Sequence, residues 1–385
     1  MSLPSLSAGG WWIAPLAVVV TVLALVGGLA ALGFAPGAVI AVAAAAALGG
    51  RDEWAAIFHD GLPLHFALSL QQAGPLALCG LATALAFRCG VLNIGVEGQY
   101  RIGALAAITV GTLAPGPGWV VVTLALAAAA LAGAIWAGIA AWLEHWRGVP
   151  VVLSTILLNF IAALLVSLLV GGVLRAAGTT APQTAELLAD HRLPVLVAGT
   201  KLHLGVLLTG FIAVALAVME RWTAFGFELR AAGLNPSASR LAGIPVALRR
   251  VQAMAMSGAL GGFAGGGTIL GVTYFLTADS ESYGFAGIAV AMLGRLNPLG
   301  VMAAAVFFGM LDTAGRALEW KLSIPHDLGD VAKGLVVLTL LVATAAAMAV
   351  AKRRGPAGDD ADSLGKTPEK TVIPAAPAAS APETP

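Results

Sequence analysis

Charge is what this sequence has least of. Only 11% of its 385 residues are Asp, Glu, Lys or Arg, where an average globular chain carries about 25%. With 59% apolar residues, there is too little polar surface to coat a water-soluble fold. The formal net charge is +1, and no basic stripe is dense enough to track phosphates, which excludes a nucleic-acid partner. Cysteine is almost missing. Cys79 and Cys89 are the only two, and ten residues on one helix would hold them ~15 Å apart, far beyond disulfide reach. The six histidines are scattered and no C-x-x-C occurs, so no metal site is expected. GxxxxGK[ST] is also absent, which excludes a nucleotide motor of that type within the chain. No catalytic set can be assembled.

What is present is long uncharged runs. About 20 helical residues cross a ~30 Å hydrocarbon core. Trp11–Leu32, Leu64–Phe87, Gly148–Leu174, Leu202–Val218, Val251–Ala278 and Gly334–Ala351 each read as one span, as does Val301–Leu318, which carries Asp312 and Arg316 toward its outer end. Ile102–Leu143, broken at Pro115-Gly116-Pro117-Gly118, reads as two, and Gly284–Gly294 as a short Gly-rich helix stopped by Asn297-Pro298. The fold class is therefore all-α and polytopic, with about ten crossings. Met1–Gly10 lacks Lys and Arg, so the first span reads as retained rather than as a signal peptide. Stepping through the spans gathers Arg88, Arg147, Arg221, Arg230, Arg240, Arg249, Arg250, Arg295 and Lys352-Arg353-Arg354 on one side. The positive-inside rule makes that side cytoplasmic and places both termini there. The expected division is a transmembrane domain over residues 1–350 and an Ala/Pro-rich disordered cytoplasmic tail over 351–385.

Four segments stand out from the apolar background. In Asn93-Ile-Gly-Val-Glu97-Gly-Gln99-Tyr-Arg101, a continuous helix would put Asn93, Glu97 and Arg101 on one face, with a favourable Glu-to-Arg i,i+4 pair near the cytoplasmic interface. Gly90, Gly95, Gly98 and Gly103 allow close backbone approach or a helix break. Thr155 and Asn159 share a face of an otherwise apolar span, suited to interhelical hydrogen bonds or to lining a polar passage. Residues 221–250 form the longest polar connection. There Asn235 suits an N-cap, Pro236 the first helical position and Gly243 the C′ position, so a helix of about two turns is expected outside the bilayer. Ser282–Gly300 is the fourth, a compact small-residue helix that has to pack among others.

These segments, in this order, resemble the inner-membrane permeases of bacterial ATP-binding-cassette (ABC) importers for nucleosides and simple sugars. The resemblance rests on Asn93-Ile-Gly-Val-Glu-Gly-Gln99, Thr155-Ile-Leu-Leu-Asn159, Gly233-x-Asn235…Ala242-Gly243-Ile244, Ser257-Gly-Ala-Leu-Gly-Gly262 and Tyr283-Gly-Phe-x-Gly-Ile-Ala-Val-Ala-Met-Leu-Gly-Arg295-x-Asn297-Pro298. Val96 stands where relatives often have a small residue, and Leu158 where Met is frequent. The resemblance implies a type II-like importer bundle in a bacterial inner membrane, pairing with a second permease, a cytoplasmic ABC ATPase and an external solute-binding protein. Nucleotide and Mg2+ would sit on the ATPase, with no cofactor in this chain. Asn93, Glu97, Gln99, Thr155, Asn159 and Asn297 are the expected translocation-path residues. Arg230, Gly233, Asn235, Arg240, Gly243 and Ile244 are those expected to couple to the ATPase. The competing expectation is an ion-coupled secondary transporter, for which Glu97 is the only candidate for a deep ion-binding acid and stands near a span end. A scaffold protein with no solute is the third.

Overall fold

The computed structural model describes residues 62–197, 199–278 and 283–322, with side chains from 66 to 313. The expected spans Trp11–Leu32 and Gly334–Ala351 and the tail from 351 lie outside the described residues, as do the side chains of Arg51, Arg316, Lys321 and Lys352-Arg353-Arg354. The ten α-helices of this region are α1 (Leu62–Arg88), α2 (Val96–Leu113), α3 (Gly118–Arg147), α4 (Val151–Gly171), α5 (Leu204–Trp222), α6 (Ala224–Leu234), α7 (Pro236–Leu241), α8 (Val246–Thr268), α9 (Gly284–Leu293) and α10 (Pro298–Leu322). No strand occurs among the described residues. Five helices are long and apolar enough to cross a membrane, and the α9–α10 pair, bent by 119°, makes a sixth if read as one span.

Small residues decide how these helices meet. A Cβ on Gly262 of α8 would fall 2.1 Å from the Ala129 carbonyl of α3, and one on Gly103 of α2 would fall 2.3 Å from the Gly262 Cα. The backbones of α2, α3 and α8 therefore touch directly, as membrane helices do where dispersion rather than water drives packing. α8 lies between α1, α2 and α3, while α1 also packs on α9 and α10. By contrast α4 turns Phe160, Leu164 and Leu168 outward, and α5 turns out Leu207 and Phe211. In a bilayer such apolar faces need no protein partner.

The bundle has two distinct ends. At one, the C-termini of α1, α3 and α5 meet the start of α8 through Arg88–Glu220, Arg250–Glu144 and, with α6, Arg249–Glu228. At the other, residues 175–197 and 199–203 fold over the end of α8. There the helix loosens into a π-turn at Ile269–Thr273 and stops at Tyr274, whose φ is +67°. The loop is laced down by backbone bonds: Leu193 N–H to Leu270 O, Leu187 N–H to Tyr274 O, and Thr184 N–H to Leu276 O. His191 Nδ1 bonds the Gly111 carbonyl at 2.8 Å, tying the loop to the end of α2. The arginines that alternation assigned to one side do collect at the first end, as far as they are described.

Candidate functional site

The expectation of one helical face for Asn93, Glu97 and Arg101 is only partly met. Asn93 is not helical. Residues 89–95 form a non-helical strap, and α2 begins at Val96. The cause is local: Gly90 adopts φ +74°, and Asn93 Oδ1 accepts from Gly95 N–H at 2.8 Å. That Asx-type turn competes with the helix for the same backbone donor. Glu97 and Arg101 do pair on α2, Nε to Oε1 at 2.9 Å.

Their depth differs from expectation. The strap runs alongside α8. Arg250, near the charged end, donates to the Gly90 carbonyl, Asn93 reaches Ser257, and Val96 lies against Gly261. Eleven residues of helix separate Arg250 from Gly261, a rise of ~16 Å, about half a hydrocarbon core. The Glu97–Arg101 pair therefore lies deep, not at the cytoplasmic interface. Unpaired backbone is costly at such depth unless protein satisfies it, and here side chains do so. Asn93 Nδ2 donates to Ser257 Oγ (2.8 Å), and Asn93 and Gln99 form a reciprocal amide pair at 3.2 Å. Ser257 Oγ donates to the Ala82 carbonyl, which ties α1, α2 and α8 to one knot. From α4, Asn159 accepts from Gly98 N–H (2.8 Å) and donates to Ile94 O (3.0 Å).

So the structure brings Asn93, Gln99 and Asn159 together around the broken start of α2, all buried. Thr155 joins them through packing: a Cβ on Gly95 would stand 2.9 Å from the Thr155 Cβ. Glu97 has Gly284, the first residue of α9, against its backbone, and Arg101 Nη1 lies 3.5 Å from the Ala278 carbonyl. Two helix starts thus converge on one ion pair whose acid is buried and whose arginine is half-buried. Asn297 stands apart. It is exposed at the α9–α10 turn and caps α10 by accepting from Leu299 N–H at 3.0 Å. Arg295 and Leu296, both at positive φ, make that turn tight.

The ring of residues missed from sequence includes Ser257 and Trp136. Trp136 Nε1, buried without a hydrogen-bond partner, points toward Gly98, 3.2 Å from where a Cβ would sit. Ser257 opens the Ser257-Gly-Ala-Leu-Gly-Gly262 run, and its place in that family pattern is the signal the sequence offers. Trp136 gave none. Among the described residues no group of His, Cys, Asp and Glu could hold a metal ion.

The 221–250 connection is a built element rather than a loop. Thr223 caps α6, accepting from Gly226 N–H. Asn235 caps α7, accepting from Ala238 N–H at 3.0 Å, with Pro236 at the first helical position. Gly243, at φ +81°, then ends α7. Gly243 N–H bonds Arg240 O and Ile244 N–H bonds Ser239 O, which is a Schellman motif. Beneath it, Leu229, Ala232 and Val246 pack with Leu85, Cys89 and Ala253. Gly233 sits on the Arg88 carbonyl so closely that a Cβ would be 2.0 Å away. Arg230 is half-buried, whereas Arg240 is exposed. Leu234 (87% exposed) and Leu241 (91%) stand clear of the bundle.

Comparison with known proteins meets this geometry from outside. Residues 66–348 match the family described as "Branched-chain amino acid transport system / permease component". The guanosine ABC transporter permease protein NupP of Bacillus subtilis is 35% identical over 80% of this chain and 89% of its own. The glucose ABC transporter permease protein TsgB13 of Haloferax volcanii is 33% identical over 79% and 86%. A second guanosine permease of B. subtilis, NupQ, is 30% identical over 67% and 84%. The deep position of Glu97 removes the objection that it stood too near a span end to serve an ion-coupled carrier. These matches nevertheless leave the ion-coupled reading without support. With several apolar helices and relatives of this kind along most of its length, the chain belongs to the permease-component family of ABC transporters, multi-pass membrane subunits whose ATPase is a separate polypeptide.

Proposed function

We propose that this chain is one of two related permease subunits of a bacterial inner-membrane importer for a nucleoside or a simple-sugar-like solute. The observation that carries this reading is the match along most of the chain to permeases named for guanosine, with a glucose permease next. That both NupP and NupQ of one organism resemble the chain supports a heterodimer of homologous permeases. An external solute-binding protein would deliver the solute and contribute most of the selectivity. Residues 1–350 form the permease, with both termini and the tail from 351 in the cytoplasm, and about ten crossings in all.

Within that reading the Arg88 end is cytoplasmic, and α6–α7 is where the ATPase, carrying ATP and Mg2+, docks. Arg230, Gly233, Asn235, Arg240, Gly243 and Ile244 build or present this element, and Leu241 offers it an apolar anchor. Asn93, Glu97, Gln99, Thr155 and Asn159 shape the path by fixing the start of α2. The Glu97–Arg101 pair is the group nearest to a passing polar solute. Asn297 sets the α9–α10 bend. Polar solutes cross only where such groups replace part of their hydration.

The test is reconstitution of the full complex in proteoliposomes with its binding protein and labelled guanosine, uridine or glucose. ATP-dependent uptake of a nucleoside, or of the sugar, is expected. Uptake driven by a proton or sodium gradient without ATP would overturn the assignment.

A further inference from the structure

The two polar regions described above are physically joined, and nothing in the family match assigns the joint. At its cytoplasmic end the strap is gripped from three sides. The Gly233 backbone of α6 presses on Arg88 and Cys89, and on Gly90. Arg88, the last residue of α1, pairs with Glu220 at the end of α5. Arg250 of α8 donates to the Gly90 carbonyl at 3.2 Å while its other nitrogen reaches Glu144 of α3 at 3.3 Å. Along its course Val91 is buried against Ala137, Ala140 and Met254. At its deep end Asn93 and Asn159 hold it to α8, α2 and α4. Leu92 is the one side chain turned fully out, at 54% exposure, with the Gly90 backbone exposed beside it. The segment contains turns at Gly90 and at Asn93–Gly95, but it is short, held at both ends and packed along its sides, and a close-packed interior passes displacement from one end to the other.

We propose that residues 89–95 are the mechanical link from the α6–α7 element to the buried start of α2, with Arg88, Glu220 and Arg250 as positioning residues. This rests on the ATPase docking at α6–α7. When the motor shifts that element, Gly233 carries the strap with it. The strap then moves the Asn93–Gln99 knot and with it the Glu97–Arg101 pair, some 16 Å of helix away. The ion pairs keep the element from tilting on its own. Removing one partner leaves a poorly solvated charge, which loosens the grip without touching either the docking tip or the deep site.

The experiment uses the reconstituted transporter with Arg88→Gln, Glu220→Gln and the exchange Arg88→Glu with Glu220→Arg. Solute uptake and ATP hydrolysis are measured together. The single variants should raise ATP hydrolysed per solute at least threefold with the ATPase still co-purifying, and the exchange should bring the ratio back toward wild type. In parallel, Leu92→Cys reports on the strap through maleimide labelling, since both native cysteines are buried. Its labelling rate should change at least twofold between nucleotide-free and ATP-bound complex, and the change should vanish in Arg88→Gln. A wild-type ratio in both single variants, or a nucleotide response at position 92 untouched by Arg88→Gln, overturns the link. Docking is read separately through Leu241→Asp. If the ATPase stays bound to that variant, the docking assignment fails and this inference with it. If it is released while Arg88→Gln stays fully coupled, the link alone fails.

Discussion

The two ends of this bundle are held by different chemistry. At the Arg88 end, four helices and α6 are pinned by side-chain ion pairs, and an apolar tip is left in the open at Leu234 and Leu241. At the Tyr274 end, a long loop is stitched to the unwound tail of α8 by backbone hydrogen bonds, and Arg192 and Lys201 both lie over the Tyr274 ring, 4.3 and 5.2 Å from its centroid. Ion pairs between rigid helix ends keep their geometry while the whole end moves. Backbone lacing closes a surface by fixing each residue to its neighbour. The first arrangement suits a part that receives force, and the second a part that stays shut until its bonds are broken. Between them lies the Asn93 knot, where neither chemistry suffices and amide side chains stand in for missing helix.

The sharpest way to break this contrast is at the knot. Asn159→Leu removes the partners of Gly98 N–H and Ile94 O, leaving two buried backbone groups at a cost of roughly 1–3 kcal/mol each. Uptake by the reconstituted complex should fall at least tenfold while ATPase co-purification is unchanged. Full uptake would show that the start of α2 needs no side-chain support.

At the Tyr274 end, His203 gives the next effect. Its Nδ1 caps α5 by accepting from Gly205 N–H at 3.1 Å, so the neutral ring carries its proton on Nε2. His203→Ala would leave the buried Gly205 N–H unpaired, at a cost of roughly 1–3 kcal/mol. The melting temperature of the purified protein should drop, and His203→Asn, which can still cap, should recover most of the drop. An unchanged melting temperature in His203→Ala would show that the start of α5 needs no cap.

Smaller still is Tyr274→Leu, which takes away the ring under Arg192 and Lys201 at about 0.5–2 kcal/mol. Hydrogen exchange of the Leu187 and Leu193 amides should quicken several-fold, with the ATP-to-solute ratio unaltered. A changed ratio would mean that the outer loop also takes part in coupling.

Much of this was legible in the sequence where a single residue dictates its own geometry. Asn235, Pro236 and Gly243 specify the start and stop of α7, and the helix forms between them. Among the described residues the uncharged runs match the long helices to within a turn or two at each end, since hydropathy is local. What stayed hidden was depth. Nothing in Arg88–Arg101 says that seven residues after α1 turn back along α8 rather than leaving the membrane. That path depends on Ser257 and Asn159, over 60 positions away, supplying the hydrogen bonds. Read as a helix, Asn93 belongs with Glu97 and Arg101. Read with its partners, it is what prevents the helix.

The finest test separates presenting a helix from holding it. Gly243 and Gly233 flank α7, and both are glycines for reasons the structure makes distinct. At Gly243 no atom lies within 4 Å of an added Cβ, and only the positive φ resists one, so Gly243→Ala should cost about 1 kcal/mol of local backbone strain. At Gly233 the φ is ordinary but the Arg88 carbonyl fills the space, so a methyl must force α6 away from the strap. If α7 matters only as a docking tip, Gly243→Ala should weaken ATPase affinity by a few-fold and leave the coupling ratio alone, while Gly233→Ala should do the opposite. Should both variants shift the same quantity, tip and mounting act as one body and the distinction between them dissolves.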